Sequence, residues 1–136
     1  GMFDAKGVDW KDIPEGEPLF RASADGRGFA VSGGVAQAVV HAVKRIDPDR
    51  EVKVVNAEGL QNCKKMLQMA KLGKYNGYLL EGMACPGGCV AGAGTIQTIK
   101  KASAALDKMK KEAAFEEASD SKYQSRLESL EKLDLE

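Results

Sequence analysis

Cysteine is scarce in this 136-residue chain, which has three: Cys63, Cys85 and Cys89. So small and odd a number excludes a disulfide-stapled secreted scaffold. A domain of this length buries roughly two-thirds of the surface its unfolded chain exposes, so it needs no such framework to hold a core. An excess of charge of either sign is lacking too, with 20 Lys plus Arg against 20 Asp plus Glu. Without a concentrated positive face, no counterion release drives binding to nucleic acid or to an anionic membrane. No membrane span is expected, and 43% apolar residues make this a folded domain rather than a disordered chain. No signal or transit sequence opens the chain, so a cytoplasmic location is the expectation. Gly1 before Met2 is expected to be the remnant of a cleaved tag.

Three stretches follow one another. Residues 2–27 read as a loop-like leader, interrupted by Gly7, Pro14, Gly16, Pro18 and Gly26. Residues 28–117 repeat the order of strand, glycine turn and helix. Phe29-Ala30-Val31 is a strand candidate ending in Ser32-Gly33-Gly34, followed by Val35, Val39, Ala42, Val43 and Ile46 at helical spacing. Val52 to Asn56 leads through Gly59 into a helix with the stripe Leu60, Cys63, Met66, Leu67 and Ala70. Tyr78 to Met83 is the third strand, and after a loop the pattern Ile96, Ile99, Ala102, Leu106, Met109 and Ala113 predicts a long helix. The fold class is therefore α/β: three strand-helix units forming a small parallel sheet flanked by helices. Residues 118–136 form a charged tail with a helical stripe at Leu127, Leu130 and Leu133.

In an open parallel sheet, ligands collect outside the carboxyl ends of the strands, and all three glycine turns are predicted at that edge. The third is the sequence Cys85-Pro86-Gly87-Gly88-Cys89. Two thiols at a helix N-terminus are biased towards thiolate, the form that soft metals bind. Backbone without side chains lets amides approach a bulky anion such as an iron-sulfur cluster. Three intervening residues do not fit a redox dithiol, and no His or Cys elsewhere supplies a second half for a zinc site. Inert cysteines packed in a tight strand-to-helix turn remain the alternative from spacing alone.

The stretch Glu81-Gly82-Met83-Ala84-Cys85-Pro86-Gly87-Gly88-Cys89, with Gly92-Ala93-Gly94 behind it, resembles the third cysteine motif of the iron-only hydrogenases, E-x-M-A-C-P-G-G-C followed by G-x-G. Phe29 to Val35 resembles the family's F-x-x-S-G-G-V turn, and Val54 to Leu67 resembles the strand and helix with a G-L-x-N centre. The likeness covers residues 27 to about 100. It implies one lobe of a hydrogenase catalytic domain. In that family the H-cluster, a 4Fe-4S cubane joined through a cysteine sulfur to a di-iron unit carrying CO and cyanide, reduces protons or oxidises dihydrogen. The resemblance makes Cys85 a cubane ligand, Cys89 the cubane ligand that bridges to the di-iron unit, and Met83 the neighbour of that unit.

The family's other cysteine motifs, T-S-C-C-P and M-P-C-x-x-K, do not occur in this chain. A cubane normally takes four cysteine ligands, and this loop offers two. The expectation is a C-terminal part of the large subunit, inactive alone and without its cluster. Its partners would be the remainder of the catalytic domain and, for the complete enzyme, a ferredoxin-like electron carrier. Uncovered apolar surface near Met83 and Val90 would favour a homodimer of the fragment. A different class of function is a non-catalytic module holding a phosphate or a subunit-bridging iron-sulfur cluster at its glycine turns. Cys63 reads as buried core within its stripe, and His41 as an exposed side chain sharing a helix face with Gln37. Trp10 either anchors the leader or stacks on a partner. Ser32-Gly33-Gly34 holds an anion or lets helix and strand pack closely, and Glu81 serves the cluster edge or caps neighbouring backbone.

Overall fold

The computed structural model describes residues 1–14, 16 and 22–121. Its centre is a parallel pair of strands, β1 (Lys53–Glu58) and β2 (Tyr78–Met83), in register from Lys53 opposite Tyr78 to Glu58 opposite Met83. Both segments are rich in β-branched, leucine or aromatic residues that suit a half-buried pleated surface. Parallel neighbours need a crossover, here the helix α4 (Leu60–Lys71), which lies against both strands. Three further helices are a short turn α1 (Met2–Ala5), the five-residue α2 (Ala24–Gly28) and α3 (Gly34–Ile46), which rests on β2. The last α-helix among the described residues, α5 (Ile99–Lys111), packs against α2. The α/β class and the strands around residues 54 and 80 are as the sequence predicts.

The first expected strand is not formed. Phe29-Ala30-Val31 instead continues α2 as a run of turns, with Phe29 N–H bonded to Gly26 O, Val31 N–H to Gly28 O and Gly34 N–H to Val31 O. Ser23 starts that helix by accepting the Gly26 N–H at 2.9 Å on its hydroxyl. The otherwise orphaned N–H groups of Ala24 and Asp25 bond to the carbonyls of Phe115 and Glu116. Three apolar residues carry no period, so capping and long-range contacts decide their conformation.

The helix stripes are also displaced. Among the described residues, Ala36 and Met66 are the buried hydrophobic side chains, at 3% and 7% exposure. Val35, Val39, Ala42 and Ile46, expected to face inward, lie exposed along α3. On α4, Met66 is buried and Cys63 half-buried, while Leu60 and Leu67 face outward. Ile96 is almost wholly exposed and α5 begins only at Ile99, behind its N-cap Thr98. Met83 and Val90 are themselves half-buried, while exposed apolar side chains include Val35, Val39 and Ile46 on α3, Leu60 and Leu67 on α4, and Ile96 and Ile99 beyond the cysteine loop. The stripe at Leu127, Leu130 and Leu133 lies outside the described residues. Among the described residues, no helix is long and apolar enough to cross a membrane.

Candidate functional site

All three glycine turns meet at the carboxyl end of the sheet, although one is preceded by a helix rather than a strand. Gly59 N–H bonds to Met83 O at 2.8 Å, joining the second turn to the end of β2. Gly33, with φ +89°, lies so close to β1 that an added Cβ would sit 3.0 Å from Asn56 Nδ2. The Cys85–Cys89 loop then rests on the first turn. Val90 donates its N–H to Ala30 O at 3.1 Å, and a Cβ on Gly88 would stand 2.6 Å from Ala30 O and 2.7 Å from Ser32 N. Gly88 also has φ +92° and ψ −165°, a backbone region open essentially to glycine alone. Both the conformation and the close approach therefore require glycine there.

Inside the loop, Gly88 N–H closes a turn onto Cys85 O at 3.0 Å. Glu58, at the end of β1, accepts the Gly87 N–H on Oε2 at 2.9 Å. The Cys85 thiol is half-buried and Cys89 is exposed, both free of disulfides. Cys85 Sγ lies 3.5 Å from where a Cβ on Gly92 would stand, so the thiol borders bare backbone. The element after the loop is a three-residue 3₁₀ turn, Cys89–Ala91, not the long helix expected, because α5 starts ten residues beyond Cys89. Among the described residues, no group of three or more His, Cys, Asp or Glu converges to hold a metal ion. The cysteine pair thus offers two thiol ligands and a glycine-lined approach, which fits half of a four-thiolate donor set.

The remaining candidates fall into place around this loop. Met83 ends β2, half-buried, two residues before Cys85. Cys63 donates its thiol proton to Ala57 O at 3.5 Å and Met83 O at 3.6 Å, which binds α4 to the sheet and turns its sulfur away from a ligand role. Glu81 is a cap: nine-tenths buried, it accepts the Ala36 N–H on Oε2 at 3.4 Å, while its buried Oε1 has no hydrogen-bond partner among the described residues. The first turn of α3 is therefore met by a carboxylate. The Ser32-Gly33-Gly34 turn works by close packing, since a Cβ on Gly34 would overlap Gly28 O at 1.9 Å. Trp10 begins a 3₁₀ turn, and its side chain lies outside the described residues.

His41 is not the exposed side chain expected. It does share a face with Gln37, their Nε2 atoms 3.1 Å apart, but its Nδ1 stands 2.9 Å from Oδ2 of the buried Asp25. Asp25 and Glu58 are the positions that sequence reasoning missed. The pattern Ser23-Ala24-Asp25, a capping hydroxyl with an acid in the first turn, is the available signal for the former. Nothing in the local sequence singles out Glu58. Arg45 joins α3 to the segment after α5 through Asp120 at 2.6 Å, Ser119 at 2.7 Å and Glu117 at 3.0 Å. Hydrogen bonds from Arg45 and then Ser119 hold the Glu117 carboxyl below the usual range.

Fold and site together define a thiol-bearing α/β lobe, with two cysteines in a glycine-rich loop at the sheet's carboxyl edge. The family model that matches residues 1–93 is described as "Iron only hydrogenase large subunit, C-terminal domain". The chain belongs to that family. The periplasmic Fe hydrogenase large subunit of Nitratidesulfovibrio vulgaris (Hildenborough) is 30% identical over a 122-residue alignment, which covers 68% of this chain and 29% of that relative. The chain therefore spans less than a third of the length of that protein.

Proposed function

We propose that this chain is the part of an iron-only hydrogenase that supplies Cys85 and Cys89 to the H-cluster and is inactive without the rest of the large subunit. The observation that supports this most is the seating of the cysteine loop on the Phe29–Gly34 turn through Gly88 and Val90. Two stretches that resemble the family are brought into contact at the loop that carries the two thiols. When bound, the cluster would supply the iron site and carry the electron pair, giving electrons to protons in one direction and taking them from dihydrogen in the other. The chain's own residues bind and orient it. Cys85 and Cys89 are the thiolate ligands. Gly92, where an added Cβ would stand 3.5 Å from Cys85 Sγ, keeps the backbone beside that thiol bare for a bulky anionic group. Met83 offers a polarisable thioether at the end of β2.

Further ligands and a route for protons would come from the remainder of the catalytic domain, with a ferredoxin-like carrier exchanging electrons with the complete enzyme. A small buried apolar set beside the exposed row on α3 supports a lobe that other polypeptide covers. Three free thiols support a reducing compartment, which we propose as the cytoplasm, although the relative named above is periplasmic. The test is dihydrogen uptake with the H-cluster assembled. The chain alone is expected to show none, and the chain co-expressed with a segment carrying T-S-C-C-P and M-P-C-x-x-K to show it. Uptake by the chain alone contradicts the divided site.

A further inference from the structure

Glu58 carries a negative charge to the edge where the two thiols stand, a placement that by itself disfavours thiolates and an anionic cluster. Among the described residues, no lysine or arginine bridges it. What its carboxylate does have is a backbone amide. The Gly87 N–H, midway between Cys85 and Cys89, donates to Glu58 Oε2 at 2.9 Å across 29 residues of sequence. The base of this arm is fixed on two sides. Gly59 N–H bonds to Met83 O at 2.8 Å, and Asn62 Nδ2 donates to Glu58 O at 2.9 Å. The loop is otherwise held by main-chain bonds, Gly88 N–H to Cys85 O at 3.0 Å and Val90 N–H to Ala30 O at 3.1 Å.

We propose that Glu58 is a positioning residue: its carboxylate fixes the middle of the Cys85–Cys89 loop and so sets the two thiols for the cluster before it arrives. The proposal rests on the reading of the loop as half of a cluster site. Charge-assisted hydrogen bonds to a backbone N–H are the stronger kind, and one placed at the centre of a five-residue loop limits both ends. Pre-ordered ligands lose less conformational freedom on binding, so the tether slows release of iron.

Two measurements test this, on wild type, Glu58→Ala and Glu58→Gln. The first is amide hydrogen exchange at Gly87 in the 136-residue chain, with the β1 and β2 amides as an internal reference for the fold. The second is the rate at which a chelator strips iron from the chain reconstituted with the segment carrying the missing motifs. Glu58→Ala is expected to speed Gly87 exchange about tenfold and to speed iron loss several-fold. Glu58→Gln, whose amide oxygen can accept the same N–H, is expected to restore both. Gly87 protection unchanged in Glu58→Ala overturns the inference. So does protection that is lost while iron retention stays at the wild-type rate. A wild type that takes up no cluster, with Gly87 still protected, instead overturns the cluster-site reading on which the inference rests.

Discussion

Val90 donates its main-chain N–H to the carbonyl of Ala30 at 3.1 Å, a bond between residues 60 positions apart. It joins the cysteine loop to a turn that the sequence places in a different strand-helix unit. Gly88 makes the contact sterically feasible, and the Ser32-Gly33-Gly34 backbone gives the loop a surface to lie on. Each stretch is short, and their apposition seats the loop that carries the two thiols.

Replacement of Gly88 by alanine should undo that apposition. The new Cβ would lie 2.6 Å from Ala30 O, and φ of +92° with ψ of −165° excludes ordinary side chains. Backbone strain of this kind costs about 1–3 kcal/mol. Urea unfolding of Gly88→Ala is expected to show that loss together with faster exchange of the Val90 amide. An unchanged midpoint contradicts the packing described for the loop.

Cys63 should be separable from the other two cysteines. Its thiol spans Ala57 O and Met83 O, bonds that fasten α4 to the sheet. Cys63→Ala is expected to cost about 1 kcal/mol of stability, the usual worth of a modest internal hydrogen bond and its packing. Iron content after reconstitution should stay at the wild-type value. Loss of iron in Cys63→Ala, with the fold intact by circular dichroism, would show it to be a ligand.

Acid should loosen the segment behind α5. Glu117 has a folded pKa below its unfolded one, because Arg45 and Ser119 hydrogen-bond the carboxylate. A depressed carboxylate contributes stability above its unfolded value, roughly 4.3, and loses it as pH falls through the lower folded value. The Glu117 to Asp120 amides should therefore exchange faster below about pH 4, beyond the intrinsic pH effect. Arg45→Ala should abolish that added dependence. The site is exposed, so the change is local, and a persistent pH effect in Arg45→Ala contradicts the assignment.

Legibility in the sequence followed physical range. Local signals sufficed for β2, where Tyr78 to Met83 lies where the apolar run predicts it, and for the glycine turns at the sheet edge. Phe29 to Val31 was illegible because its conformation is decided by Ser23 before it and by Phe115 and Glu116 far along the chain. The row Val35, Val39, Ala42 and Ile46 has the spacing of a buried face yet is exposed. Periodicity marks a face made for contact without saying whether the covering surface belongs to the same chain. Within the site, the cysteines and glycines declare themselves by type and spacing. Glu58 does not, because its role arises only when β1 and the loop after β2 are brought together.

The proposed division of a cluster site is tested most directly by iron and sulfide content, with the chromophore of a 4Fe-4S cluster, in this chain reconstituted together with the segment carrying the two missing motifs. One cluster per pair of polypeptides is the predicted result in wild type, with none retained in Cys85→Ser or Cys89→Ser. A full cluster in either variant, or no cluster in wild type, would contradict the account.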